Sequence, residues 1–317
     1  MESRRKQRIA LTILTTLVVV LAALVGLILT GVLRPATVPG AGEATLDYLR
    51  GTPYTQLVIE IDYVATAGPD STSVNLLRAR LAYYTDKATV TLSWDDSLSS
   101  GGASYTVDAI YAMERAHRDR QTGGDTAILY LLYLDGAFAD PGVGNPENVL
   151  GIAYTSTSIA VFKDRIRDAA TPGPIGITAT DIENSVLVHE AGHILGLVNL
   201  VYTSDLAYED PQHPGHSTDQ SCVMYWAIEG AGIGGIFSQP PPTDFGSEAR
   251  YDLAKLKAGG YTITPRRAPP LPVTFAADAQ SRETSRFTMS RTPRVRSTSP
   301  LHSASMSPYF ASTSPIT

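Results

Sequence analysis

His189, Glu190, Ala191, Gly192 and His193 spell H-E-x-x-H, and Gly196 follows three residues later. A helix turns by about 100° per residue, so two histidines four apart share one face. Two imidazole nitrogens on one face can grip a single Zn²⁺ ion. A glutamate between them stands where a carboxylate can take a proton from water activated by that ion. The chemistry this implies is hydrolysis at one catalytic zinc, with His189 and His193 as ligands and Glu190 as general base.

The elements around the motif have to present it. The spacing predicts a helix from about Asp181 to Leu195, with Thr180 as N-cap and Glu183 completing a capping box. Ile182, Val186, Leu187, Ile194 and Leu195 supply apolar positions for burial. Gly196 falls where helices commonly end in a left-handed residue, which allows a sharp turn back toward the metal.

The run from His189 to Asn199 resembles the signature of metzincin-clan zinc metalloproteases, H-E-x-x-H-x-x-G-x-x-H followed by a methionine turn. Asn199 stands where the clan has its third ligand, and a neutral amide is a poor zinc ligand. A second stretch, His216 to Met224, is similar to the archaemetzincin segment H-C-x-x-x-x-C-x-M, with Ser217 in place of the first Cys and Cys222 and Met224 in register. The resemblance implies an insertion of sixteen residues, 200–215, with His216 as third ligand. Loop-closure entropy grows only logarithmically with length, so the insertion costs little more than a short connection. His213, three residues earlier, is the alternative third ligand. The resemblance also implies that Met224 is an apolar floor beneath the metal and that Tyr225 is an oxyanion or substrate contact. A packed aromatic is the other reading of Tyr225. Archaemetzincins hold a second zinc through a later C-x-x-C; this chain has no Cys besides Cys222, so one catalytic ion is expected. Asp205, Glu209 and Asp210 in the insertion read as a solvated loop face, with a calcium or substrate role as the other option.

Residues 9–33 contain no charged side chain. At 1.5 Å per residue they reach about 37 Å, enough for one tilted transmembrane helix. Arg4, Arg5, Lys6 and Arg8 precede the span and only Arg34 follows closely, so the N-terminus is expected in the cytoplasm and the remainder outside it. A cleaved secretory signal is the competing reading. Residues 34–53 read as a linker, 54–264 as the metalloprotease domain, and 265–317 as a disordered Ser/Thr/Pro/Arg-rich tail. Of the formal net charge of −6, residues 1–34 carry +4 and residues 265–317 carry +5, leaving −15 on residues 35–264. So acidic a domain argues against nucleic-acid binding. A lone Cys222 excludes an intrachain disulfide.

Alternating or continuously apolar runs predict strands at 56–64, 88–94, 127–134, 151–155 and 159–162. Helical spacing marks 74–84, 107–120 and 246–258. This order suits an α/β (α+β) zincin-like domain, a twisted mixed sheet over the active-site helix, preceded by one transmembrane helix. The expected activity is that of a membrane-anchored zinc endopeptidase acting on a peptide or protein substrate lying along an edge strand near 151–155. A catalytically silent zinc-binding scaffold at the membrane is the alternative. An exopeptidase would need an acidic group for the substrate amine, and nothing in the sequence places one. Oligomeric state is left open.

Overall fold

The computed structural model describes residues 38–139, 148–171 and 176–264. Five strands form one sheet in the order β2-β1-β4-β7-β6: β1 Gln56–Val64, β2 Thr89–Leu98, β4 Thr126–Leu134, β7 Ser158–Phe162 and β6 Gly151–Ala153. β2, β1, β4 and β7 run parallel, while β6 pairs antiparallel with β7 at one edge. β3 Ser104–Tyr105 and β5 Ala137–Phe138 make a separate two-stranded ladder. The helices are α1 Thr45–Leu49, α2 Ser71–Tyr84, α3 Val107–His117, α4 Lys163–Ala169, α5 Ala179–Ile194, α6 Ile233–Ile236 and α7 Ser247–Lys257.

The sheet is covered on both faces, as parallel strands require. Leu57, Ile59 and Ile61 of β1 join Leu129, Leu131 and Tyr133 of β4 in the core shared with α2 and α5. The alternate β4 residues Tyr130, Leu132 and Leu134 pack on the other side with Ile110 of α3. The continuous apolar run at 127–134 is therefore a strand buried on both faces. On α2, Val74, Leu77, Leu81 and Tyr84 make one buried stripe, and the Asp70 side chain caps the helix by accepting from the Thr72 amide.

Three expectations are corrected. α5 starts earlier than predicted. Its N-cap is Thr178, whose hydroxyl accepts from the Asp181 amide, while Asp181 reaches back to the Thr178 amide. Glu183 has no capping role. It is fully buried and ion-paired with Lys163, and it accepts from Tyr133 Oη (3.1 Å) and the Asp70 amide (2.9 Å). Thr178-x-x-Asp181 overlaps Thr180-x-x-Glu183, and with Glu183 buried in an ion pair the earlier pair forms the box. Second, residues 45–49, inside the stretch read as linker, form α1. Tyr48 and Leu49 are buried, and Tyr48 Oη donates to the Ile128 carbonyl (2.6 Å). Lys87 Nζ donates to the carbonyls of Asp47 and Arg50 at 2.6 Å each, and also to that of Tyr54.

The third correction concerns the insertion, where Asp205 is exposed as expected but Glu209 and Asp210 are partly buried. Asp252 of α7 is completely buried, and its carboxylate accepts from Tyr202 (2.8 Å), Tyr208 (2.7 Å), Ser204 (2.9 Å) and Tyr261 (2.6 Å). Three of those donors lie in residues 200–215. Glu209 accepts from Asn199 Nδ2 (2.7 Å) and the Gly215 amide (2.9 Å), closing the loop on itself. Asp205 pairs with Lys255 on the surface. Asp252→Ala would leave several buried hydroxyls without their acceptor. The expected loss is about 3–5 kcal/mol, or roughly 10 °C in Tm for a domain of this size. Thermal unfolding of the variant checks this.

Among the described residues no helix is long and apolar enough to cross a membrane. The expected span 9–33, the basic N-terminus 1–8 and the tail 265–317 lie outside the described residues.

Candidate metal centre

α5 lies against α2 and the edge strand β6, and nearly every residue from Ile182 onward is buried. Its C-terminal end is a Schellman motif: the Gly196 amide donates to the His193 carbonyl (3.0 Å) and the Leu197 amide to that of Gly192 (3.0 Å). Gly196 has φ +75°, and a Cβ there would come within 2.3 Å of Thr45 Oγ1 on α1. Both the turn and the packing of α1 therefore require glycine. Val198 and Asn199 continue with φ +56° and +64°. Asn tolerates this conformation; a β-branched residue there is strained. Asn199 is spent on the loop, its amide donating to Glu209 and its carbonyl oxygen accepting from the Ser204 amide (2.6 Å).

The chain returns through the insertion to His216. Its amide donates to the His213 carbonyl (3.1 Å), and its carbonyl accepts from the Asp210 amide (2.7 Å). The next residue, Ser217, donates its amide to the Met224 carbonyl (2.8 Å). His216 is thus fixed to the turn Cys222–Tyr225, which is closed by the Tyr225 amide donating to the Cys222 carbonyl (3.0 Å). Met224 is buried under α5, and a Cβ on Gly192 would meet its sulfur at 2.2 Å. The methionine packs directly against the helix backbone only because Gly192 has no side chain.

These elements bring His189, His193 and His216 together, with ring centroids 4.8, 5.2 and 5.1 Å apart. A fourth group, absent from the sequence reading, joins them. Glu229 ends a 3₁₀ turn, Trp226–Glu229, and its Oε1 lies 2.9 Å from His189 Nε2, 2.9 Å from His193 Nε2 and 3.1 Å from His216 Nε2. One ligand atom from each of the four residues lies within 4.8 Å of the others, and all four residues are buried. No motif spacing pointed to Glu229; its burial just after the methionine turn was the only signal, and burial is not visible in sequence.

His213 is elsewhere. Its ring stacks on Trp226 at 4.3 Å, and Nδ1 contacts Asp210 Oδ2 at 2.7 Å. Tyr225 packs near Trp226 and Phe237, and its hydroxyl accepts from Gln220 Nε2 (3.2 Å). Among the described residues its side chain makes no hydrogen bond or ring contact with the histidine cluster.

The residues fit a divalent ion. His189 Nδ1 lies 2.6 Å from the Val223 carbonyl, which can only accept, so Nδ1 carries the proton. That leaves Nε2 to serve as a ligand lone pair, facing a carboxylate oxygen and, at 3.1 Å, the Nε2 of His193. Such a gathering of acceptors repels itself unless positive charge lies among them. Burial holds the His193 pKa down at about 4, which keeps that ring neutral. Burial also acts against charge on His216, but the Glu229 carboxylate outweighs it and raises that pKa. Burial alone would raise the pKa of Glu229; His216 and His189 overcome it and hold the carboxyl well below its ordinary range. Three imidazoles and a carboxylate are borderline donors that suit zinc.

Glu190 completes the group. It is 1 % exposed, neither carboxylate oxygen makes a well-formed hydrogen bond among the described residues, and only a weak contact from the Ala153 amide of β6 reaches it. Burial, with the negative charge of Glu229 adding to it, lifts its pKa well above the usual carboxylate value. A Cβ on Gly151 would come within 3.1 Å of Glu190 Cγ and 2.7 Å of Val186, so the edge strand presses on the face of α5 that carries this carboxylate.

No protein-family profile matches the chain, and no curated protein matches it. Among solved structures, archaemetzincin from Methanopyrus kandleri is similar at 17 % identity and a TM-score of 0.41, covering 64 % of this chain and 94 % of that one. Archaemetzincin from Archaeoglobus fulgidus, in complex with malonate, is similar at 17 % identity and a TM-score of 0.35, covering 61 % and 98 %. Metalloproteinase-II from Bacteroides fragilis is similar at 16 % identity and a TM-score of 0.38, covering 65 % of this chain and 55 % of that one.

Proposed function

We propose that the chain is a zinc-dependent peptidase. The observation that carries this is the meeting of three buried imidazoles with a buried, hydrogen-bond-poor glutamate from the helix that supplies two of them. His189, His193 and His216 would hold the ion, which supplies Lewis acidity toward water and toward a peptide carbonyl. Glu190 takes the proton of the attacking water and passes it to the leaving amine. Its burial against β6 excludes competing solvent. An extended peptide would add to the sheet at β6, whose backbone lies beside Glu190. Metal analysis and hydrolysis of a mixed peptide library test the reading. The purified protein is expected to carry one zinc, to lose activity in chelator and to regain it with added Zn²⁺. A folded, zinc-loaded protein that cleaves no peptide would overturn it.

One observation favours a second reading, a catalytically silent zinc module. With Glu229 the donors number four, and four protein donors close a site in the manner of structural zinc. Burial of Glu190 beside them, where among the described residues its carboxylate makes no well-formed hydrogen bond, favours the peptidase.

The sequence further supports a single-pass anchor at residues 9–33 with the catalytic domain outside the cytoplasm. Full-length protein should stay in the membrane pellet after alkaline carbonate extraction. A soluble form lacking residues 1–34 would speak instead for a cleaved signal.

A further inference from the structure

We propose that Glu229 is a fourth protein ligand, seated in the exchangeable position of the metal, so that the resting centre is closed and an incoming ligand has to displace a carboxylate. The proposal rests on the zinc-peptidase reading and specifies how access to that site is controlled.

Glu229 Oε1 is equally near all three Nε2 atoms, at 2.9, 2.9 and 3.1 Å, which places it on the side toward which every imidazole lone pair converges. Oε2 is buried and has no hydrogen-bond partner among the described residues. A buried carboxylate oxygen with no partner is costly unless a cation meets it.

The backbone carrying Glu229 is held, and its carboxylate is not. The Glu229 carbonyl accepts from the Leu150 amide (3.0 Å), and the Ala231 amide donates to the Asn148 carbonyl (2.8 Å). The Ile228 amide donates to Tyr225, tying the 3₁₀ turn to the methionine turn (3.2 Å). Among the described residues the carboxylate's hydrogen-bond and ion-pair partners are the imidazoles alone, so rotation of the side chain frees the position without moving the held backbone. A purely structural ligand would have its second oxygen hydrogen-bonded, as ligating carboxylates commonly do.

The test compares wild type with Glu229→Ala and the isosteric Glu229→Gln. Zinc affinity is measured by chelator competition. Binding of acetohydroxamate, a small metal-directed ligand, is followed by the visible spectrum of the Co²⁺-substituted protein. Both variants are expected to bind zinc about 10–100-fold more weakly, the scale seen for lost ligand support. They should take up acetohydroxamate at least about tenfold more tightly, because no carboxylate has to leave. Peptide hydrolysis by metal-saturated Glu229→Ala should rise. Unchanged zinc and hydroxamate affinities in a folded Glu229→Gln protein would overturn the assignment, whatever becomes of the alanine variant. If both affinities move as expected and neither variant cleaves peptide, the ligand assignment stands and the peptidase reading falls.

Discussion

Glu190→Gln is expected to lower peptide hydrolysis by about 10²–10⁴-fold while leaving zinc bound. The separation of roles follows from position. The donor atoms that can meet on one ion belong to His189, His193, His216 and Glu229; Glu190 is outside that set but on the same helix, one residue from His189. Gln matches Glu in shape, so packing against Gly151 and Val186 is preserved, and only the capacity to accept a proton is lost. The change also removes a buried carboxyl whose pKa burial holds high, so folding stability should be unchanged or slightly raised. Steady-state kinetics beside metal analysis reads both effects. A Gln variant that retains wild-type kcat/KM would remove Glu190 from the mechanism, and one that loses its zinc would place Glu190 among the ligands.

His216→Ala is expected to weaken zinc binding by more than about 100-fold, beyond the 10–100-fold typical of losing a supporting partner. His213→Ala should leave metal affinity near the wild-type value. The two residues are three apart, His213 near the end of the insertion and His216 just after it. They differ in where their rings go: His216 meets His189 and His193, while His213 stacks on Trp226 and contacts Asp210. The His213 carbonyl accepts from the His216 amide, so its backbone helps to position the ligand while its ring does not. Isothermal titration of the two apo proteins with zinc distinguishes them. Strong zinc loss from His213→Ala with none from His216→Ala would reverse the assignment. Asn199→Ala should act on loop stability, because its side chain bridges Glu209 and Ser204.

The strands 56–64 and 126–134 and the helices at 71–84, 107–117 and 247–257 follow closely from period and composition, because each buries a continuous face or run that the sequence spells out. β3, β5 and α4 were not legible. The two strands are two residues long, and α4 is a seven-residue helix whose burial depends on the sheet above it. Nor was α1, a single turn following a Pro/Gly/Ala/Thr-rich stretch, which is helical because Tyr48, Leu49 and the Lys87 ammonium tie it to the domain. The capping error at Thr180 has a similar origin, since Glu183 was drawn into the interior by Lys163 rather than left at a helix end.

By itself the sequence determined what local geometry controls. Residues four apart on a helix share a face, so His189, Glu190 and His193 stand together wherever that helix lies, and Gly196 ends it. Tertiary structure alone decided the rest of the centre. Whether His213 or His216 turns inward depends on how sixteen inserted residues fold back. That path is set by Asp252 from a helix some fifty residues away from Tyr202, through hydroxyl bonds that no short-range pattern encodes. Glu229 enters the centre forty residues after His189 for the same reason: a carboxylate reads as surface in sequence, and it becomes a metal-facing group only when the turn after Met224 packs it beneath three imidazoles.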